Sequence, residues 1–219
     1  MKTLQLIAAL SLGALVSACG GTDIASRNAV IDPTITPMSF QQDAAPIAAP
    51  SLRVAQINVV VPQSLKVSEA NRYYPSGDIV WRGDPMGDRH EQVRAIFENA
   101  MTTGTQGMNG ATPVTLDIEV LRFHALTEKA RYTVGGVHSI TFMLTLRDTA
   151  TGQMLGEPRK IKADLDGYGG QRAIEAESRG LTQKVRITGH LANVIRQELS
   201  VPGGYHNARL GLMQQINKI

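Results

Sequence analysis

The sharpest polar cluster of the chain is Asp78, Asp84, Asp88, His90 and Glu91, which share one short stretch. Four carboxylates beside an imidazole are the donor types of a hard divalent cation site, or of a general acid and base. They also have plain structural uses. Asp84 turns the chain before Pro85, and Asp88 with Glu91 three residues on suits the start of a helix. The histidines, His90, His124, His138, His190 and His206, show no i, i+2 or i, i+4 pairing, so no local pair of zinc ligands is written here. There is no Gly-x-Ser-x-Gly elbow, and Gly104, Gly107 and Gly110 lack the Gly-Lys-Ser/Thr ending of a phosphate loop. No metal, no cofactor and no catalytic residue is expected.

The single thiol, Cys19, points to a different chemistry. Lys2, an apolar run from Leu4 to Leu15, and Val16-Ser17-Ala18 precede it. Those are the basic, apolar and small-residue zones of an export signal, and the run falls short of the roughly 20 residues that span a bilayer. Small residues directly before a lone cysteine form a lipobox, at which the thiol is acylated and the chain cut before it. A signal peptide over 1–18 and lipid attachment at Cys19 are therefore expected. Glycine follows the cysteine where aspartate would favour inner-membrane retention, so the outer membrane is the expected site, at the periplasmic face. Diacylglyceryl plus N-acyl chains anchor stably where one chain would not.

Residues 19–52 carry Pro33, Pro37, Pro46 and Pro50 among small and polar residues, with no sustained period. They read as a tether whose root-mean-square span is roughly 30 Å. A domain over 53–205 and a loosely held tail over 206–219 follow. The chain has 22 basic and 19 acidic residues, too even for a nucleic-acid reader, and no basic run carries interleaved aromatics.

Within the domain, the β-branched run Val54 to Val61 predicts a first strand, and Ile79-Val80-Trp81 a short second one. Val93, Ile96, Phe97, Ala100 and Met101 fall at helical spacing after Asp88 and predict one buried stripe. Val114, Leu116, Ile118 and Val120 alternate along a strand, as do Ile140, Phe142, Leu144 and Leu146, with a polar hairpin over Thr127 to Gly136 between them. A further strand is expected over about Gln153 to Leu165, and one long helix from Gln171 to Leu199. Clean alternation implies antiparallel pairing. The expected fold class is α+β: an antiparallel sheet of four to five strands with two helices packed on one face.

Tyr73, Tyr74 and Trp81 carry two readings. They fill the space between the first helix and the sheet, or they form an aromatic patch for lipid or a protein partner.

The segments Asn71-Arg72-Tyr73-Tyr74, Ile79-Val80-Trp81-Arg82-Gly83-Asp84-Pro85 and Gln92-Val93-Arg94-Ala95-Ile96 resemble a family of uncharacterised alphaproteobacterial lipoproteins, over about 53–205. More distantly, tyrosines before a tryptophan, a proline and an amphipathic helix, then strands and a final helix, resemble the auxiliary lipoproteins of ABC-type intermembrane lipid-transport systems. That resemblance implies a non-catalytic partner that docks to transport machinery and handles lipid or scaffolds a periplasmic bridge. The expected function is a binding or scaffold lipoprotein of the envelope, with an envelope protein as partner and phospholipid as a candidate ligand. The alternatives are a module that regulates a cell-wall enzyme and an envelope hydrolase.

Overall fold

The computed structural model describes residues 51–212 and 214, all within the compact unit Ala45–Ile219. The expected signal peptide, the expected Cys19 attachment site and the expected tether lie outside the described residues, apart from the last two positions of that stretch, Ser51 and Leu52.

The predicted first strand is β1, Leu52–Val60, and the predicted helix is α1, Arg89–Thr105. Asp88 caps that helix, its carboxylate accepting from the backbone N–H of His90 and Glu91. All five residues of the predicted stripe are buried. The helix runs past Met101 because Gly104 faces the last helix rather than ending the first. A Cβ at Gly104 would lie 2.4 Å from both the Ala192 carbonyl oxygen and Ile195 Cγ2. Gly104 thus marks a close helix crossing.

After α1 come β3, Thr112–His124, and β4, Gly136–Asp148, antiparallel with Val114 opposite Asp148 and His124 opposite Ser139. β5, Arg159–Lys162, and β6, Leu165–Gly167, both pair antiparallel with β4. The single strand expected over 153–165 is therefore two short ones.

The sheet is not antiparallel throughout. β1 and β2, Ile79–Val80, both run parallel to β3 along its other edge, and the main order is β1-β3-β4-β5. The physical reason is the connection. β1 reaches β3 through α1, and a strand–helix–strand crossover brings the second strand back in the same direction. Six strands form the sheet, one more than the sequence suggests.

The expected hairpin over 127–136 contains a one-turn helix, α2, Glu128–Arg131, capped by the Thr127 hydroxyl. The long C-terminal helix is two, α3, Gly170–Ser178, and α4, Gln183–Ser200. Gly180 breaks it at φ +78°, a left-handed conformation that other residues rarely adopt, and Thr182 caps the restart by accepting from Val185 N–H. The restart turns the buried face. Ile187, Leu191, Val194 and Ile195 point inward, while Leu181 and Val185 are exposed.

One hydrophobic cluster holds the fold together, joining the α1 stripe, the inner faces of β3 and β4, and α4. Both long helices pack on that inner face, as expected for an α+β layer pair. Among the described residues no helix is long and apolar enough to cross a membrane.

Candidate functional site

Each residue of the acidic stretch has a structural partner. Asp78 accepts from Lys66 N–H at 2.9 Å, and Asp84 accepts from the Trp81 indole N–H at 2.9 Å and from Lys184 Nζ at 2.8 Å. Burial raises the Asp84 carboxyl, but Lys184 and Trp81 outweigh it and hold the group below the usual carboxylate range. Asp88 caps α1, Glu91 pairs with Arg94, and His90 Nε2 lies 3.2 Å from the Leu65 carbonyl. Among the described residues no group of three or more His, Cys, Asp or Glu side chains is placed to hold a metal ion.

The three aromatic candidates separate. Trp81 is wholly buried, edge-on to Phe123 at 5.6 Å, so its place is in the core and it offers no surface to a partner. Tyr73 is 52% exposed and Tyr74 38%. Tyr73 lies under Lys129 Nζ at 4.8 Å, and Tyr74 stacks on His124 with ring centroids 4.7 Å apart. Arg122 Nη2 donates to the Tyr74 hydroxyl at 2.9 Å, and that bond leads onto the sheet's other face.

That face carries an open groove of about 860 Å³. Leu121, Arg122, Ser139 and Thr141 are its floor, Lys160, Lys162 and Asp164 line one side, and the tail lines the other with residues 207–209, Gly211 and Gln214. Strict alternation from Val114 would send Arg122 into the core. A register shift between Val120 and Arg122 leaves Leu121 without a β4 partner and reverses the parity, so Phe123 turns inward and Arg122 outward. Bulges re-aim side chains in this way. Arg122, Thr141 and Lys162 then form one row across β3, β4 and β5.

The tail, read from sequence as loosely held, is tied to this face by Asp164. Asn207 Oδ1 accepts from Asp164 N–H, while the Asn207 and Gln214 amides donate to Asp164 Oδ2 at 2.9 and 2.7 Å. The one carboxylate in the groove is thus occupied by amides. Four cations remain, Arg122, Lys160, Lys162 and Arg209, and none is in an ion pair among the described residues. The whole chain carries only +3, so the groove concentrates charge that is balanced elsewhere.

Chemically, the groove can hold an oxyanion through cations and hydroxyl donors. Ser139 faces His124 across the strands, yet no hydrogen bond joins them among the described residues. His124 sits under Tyr74 with Nε2 donating to the Pro75 carbonyl at 2.9 Å, and burial lowers its pKa. Sequence alone did not find the groove. Lys160-Ile161-Lys162 is visible as polar–apolar–polar alternation, but nothing local marks the bulge at Leu121 or the return of the tail.

A model of a family of unknown function, DUF6778, matches residues 52–215. The chain belongs to that family. The match extends from β1 through the groove residues of the tail. None of the curated proteins compared with the sequence matches it. Among solved structures, a "putative lipoprotein" from Caulobacter crescentus is similar at 10% identity, with 66% of this chain and 87% of that chain covered and a TM-score of 0.33. A Xanthomonas campestris protein described by the family model DUF330 is similar at 11% identity, with 79% and 93% covered and a TM-score of 0.42. A PelC dodecamer from Paraburkholderia phytofirmans is similar at 15% identity, with 71% and 95% covered and a TM-score of 0.34.

Proposed function

We propose that this DUF6778 chain is a non-catalytic binding or scaffold lipoprotein of the cell envelope. Its anchor is Cys19 on the periplasmic face of the outer membrane, and its domain serves a transport or assembly system there. The observation that carries the binding reading is the open groove with four cations outside ion pairs and one carboxylate already satisfied by amides. Cations outside ion pairs on a largely polar floor, with Arg122 held in place by neutral acceptors on Tyr74 and Gly77, are a recognition surface for an anion. The lipobox in the sequence supports the anchor, and the distant resemblance to auxiliary lipoproteins of lipid-transport systems is consistent with both.

The anchor is tested by the intact mass of protein extracted from membranes, together with its density on a sucrose gradient. The expected result is a chain beginning at Cys19 with diacylglyceryl and N-acyl groups, in the outer-membrane fraction, and an unprocessed chain for Cys19→Ser. A chain that retains residues 1–18 or an unmodified thiol would overturn the anchor.

A further inference from the structure

We infer that the groove docks the phosphoryl headgroups of anionic phospholipids in the membrane that anchors the chain, holding the domain's open sheet face against the bilayer surface. This deepens the binding reading above and rests on it.

The geometry separates headgroups from other anions. Cations reach the groove from three separate segments, Arg122 on β3, Lys160 and Lys162 on β5, and Arg209 on the tail. Neighbouring strands lie about 4.8 Å apart, so the backbones beneath Arg122 and Lys162 are roughly 10 Å apart with the Thr141 hydroxyl between them. A phosphodiester fits that span with oxygens directed at both cations and a hydroxyl donor beneath it. The lining includes Leu121 and Ala208 as its apolar side chains, which gives an acyl chain no tunnel to enter. Headgroup contact at the surface is therefore the geometry on offer, rather than extraction of whole lipid.

An acidic protein segment fits less well. Protein interfaces concentrate their energy in buried aromatic or apolar anchors, and Leu121 is the one large apolar side chain in a floor otherwise made of hydroxyls and a cation. The exposed aromatic tied to the groove is Tyr74, at its rim, where its hydroxyl accepts from Arg122. A half-exposed tyrosine beside an arginine at the rim suits the bilayer interface, with an apolar ring and a polar tip. The stretch from Cys19 to β1, read as a tether with a root-mean-square span of roughly 30 Å, gives the headgroups a high effective concentration at the groove.

The test uses the mature lipidated chain reconstituted into vesicles of phosphatidylcholine alone, or of phosphatidylcholine and phosphatidylglycerol in equal parts. A water-soluble acetylating reagent then reads each lysine by mass spectrometry. Lys184 is the internal reference, since it lies at the start of α4 on the helical side of the sheet. A lysine near an anionic surface gains about fivefold in partition, so Lys160 and Lys162 are expected to label at least about fivefold more slowly with phosphatidylglycerol. Raised salt removes that protection, Arg122→Gln weakens it, and Lys184 is unchanged throughout. Equal labelling in the two lipids would overturn the inference while leaving the anchored binder intact. Failure to enter either vesicle would instead count against the anchor. Protection in phosphatidylcholine vesicles by soluble glycerol phosphate would reassign the groove to a free phosphate ester. Protection by poly-glutamate would reassign it to an acidic protein segment. Either result overturns lipid docking.

Discussion

Phe97→Ala is expected to cost about 3–5 kcal/mol of folding stability, which for a domain of this size lowers the melting temperature by roughly 10 °C. Phe97 is fully buried on α1 and meets two rings edge-on, Phe123 of β3 at 6.2 Å and Phe142 of β4 at 5.5 Å. It is the side chain through which the helix grips both central strands. Removing it forfeits the transfer energy of the ring and leaves a cavity between elements that the rest of the cluster holds apart. Urea unfolding of the two proteins measures the difference, with Met86→Ala as the control because Met86 is 85% exposed. The control is expected to change stability by less than about 0.5 kcal/mol. A loss below about 1 kcal/mol for Phe97→Ala would mean that α1 does not pack as described.

The second large effect is acid destabilisation that begins well above the carboxylate range. His138 is wholly buried on β4, and burial, with Arg186 and Arg131 nearby, pushes its pKa down to about 3 from an ordinary 6.5. Its Nδ1 accepts from Leu126 N–H at 3.3 Å, a bond that needs this nitrogen unprotonated. Burial lowers His124 and His190 as well. Below pH 6.5 the unfolded chain takes up protons that the folded chain refuses, so stability falls as pH falls from 6.5 towards the folded pKa. His138 alone contributes somewhat over 1 kcal/mol per pH unit, or about 2 kcal/mol between pH 6.5 and 4.5. The carboxylates held low by their partners, Glu69, Asp84, Glu128 and Asp148, add their loss only as pH drops through and below about 4.5. The window from 6.5 to 4.5 therefore isolates the histidines. Urea unfolding across it is expected to show the slope in the native protein and a shallower one in His138→Gln, which keeps an acceptor for Leu126. A flat profile would contradict the buried neutral imidazole.

What the sequence made legible follows from period and capping. The α1 stripe, the Asp88 cap and the inner faces of β3 and β4 are all local patterns, and each lies where the alternation put it. Departures occurred where a tertiary contact outvoted a local signal. Gly104 looked like a helix end because a glycine usually weakens a helix, but here α4 leaves no room for a side chain. The parallel edge of the sheet is invisible in β1 itself, since a half-buried strand alternates in the same way whichever direction its neighbour runs. Gly180 falls inside the single helix expected over 171–199, yet its left-handed backbone separates α3 from α4.

The site was harder to read than the fold. Tyr73 and Tyr74 are at the surface, and Tyr74 marks the rim of the groove through its bond to Arg122. Trp81 shared their signal but is spent on the core. The acidic stretch drew attention by density, and its members turned out to be caps and ion-pair partners. The groove's cations are scattered from residue 122 to residue 209 and converge only because β3 bulges and the tail returns to Asp164.

The central claim is that this chain works by binding, and the most direct measurement is mass spectrometry of the lipidated protein drawn gently from its own membranes. Native protein and a variant carrying Arg122→Gln and Lys162→Glu are compared for the lipids and proteins that accompany them. The account predicts stoichiometric anionic phospholipid and an envelope protein partner with the native chain, and depletion of the lipid from the variant. Native protein that emerges with neither lipid nor partner, or lipid retained equally by both proteins, would contradict it.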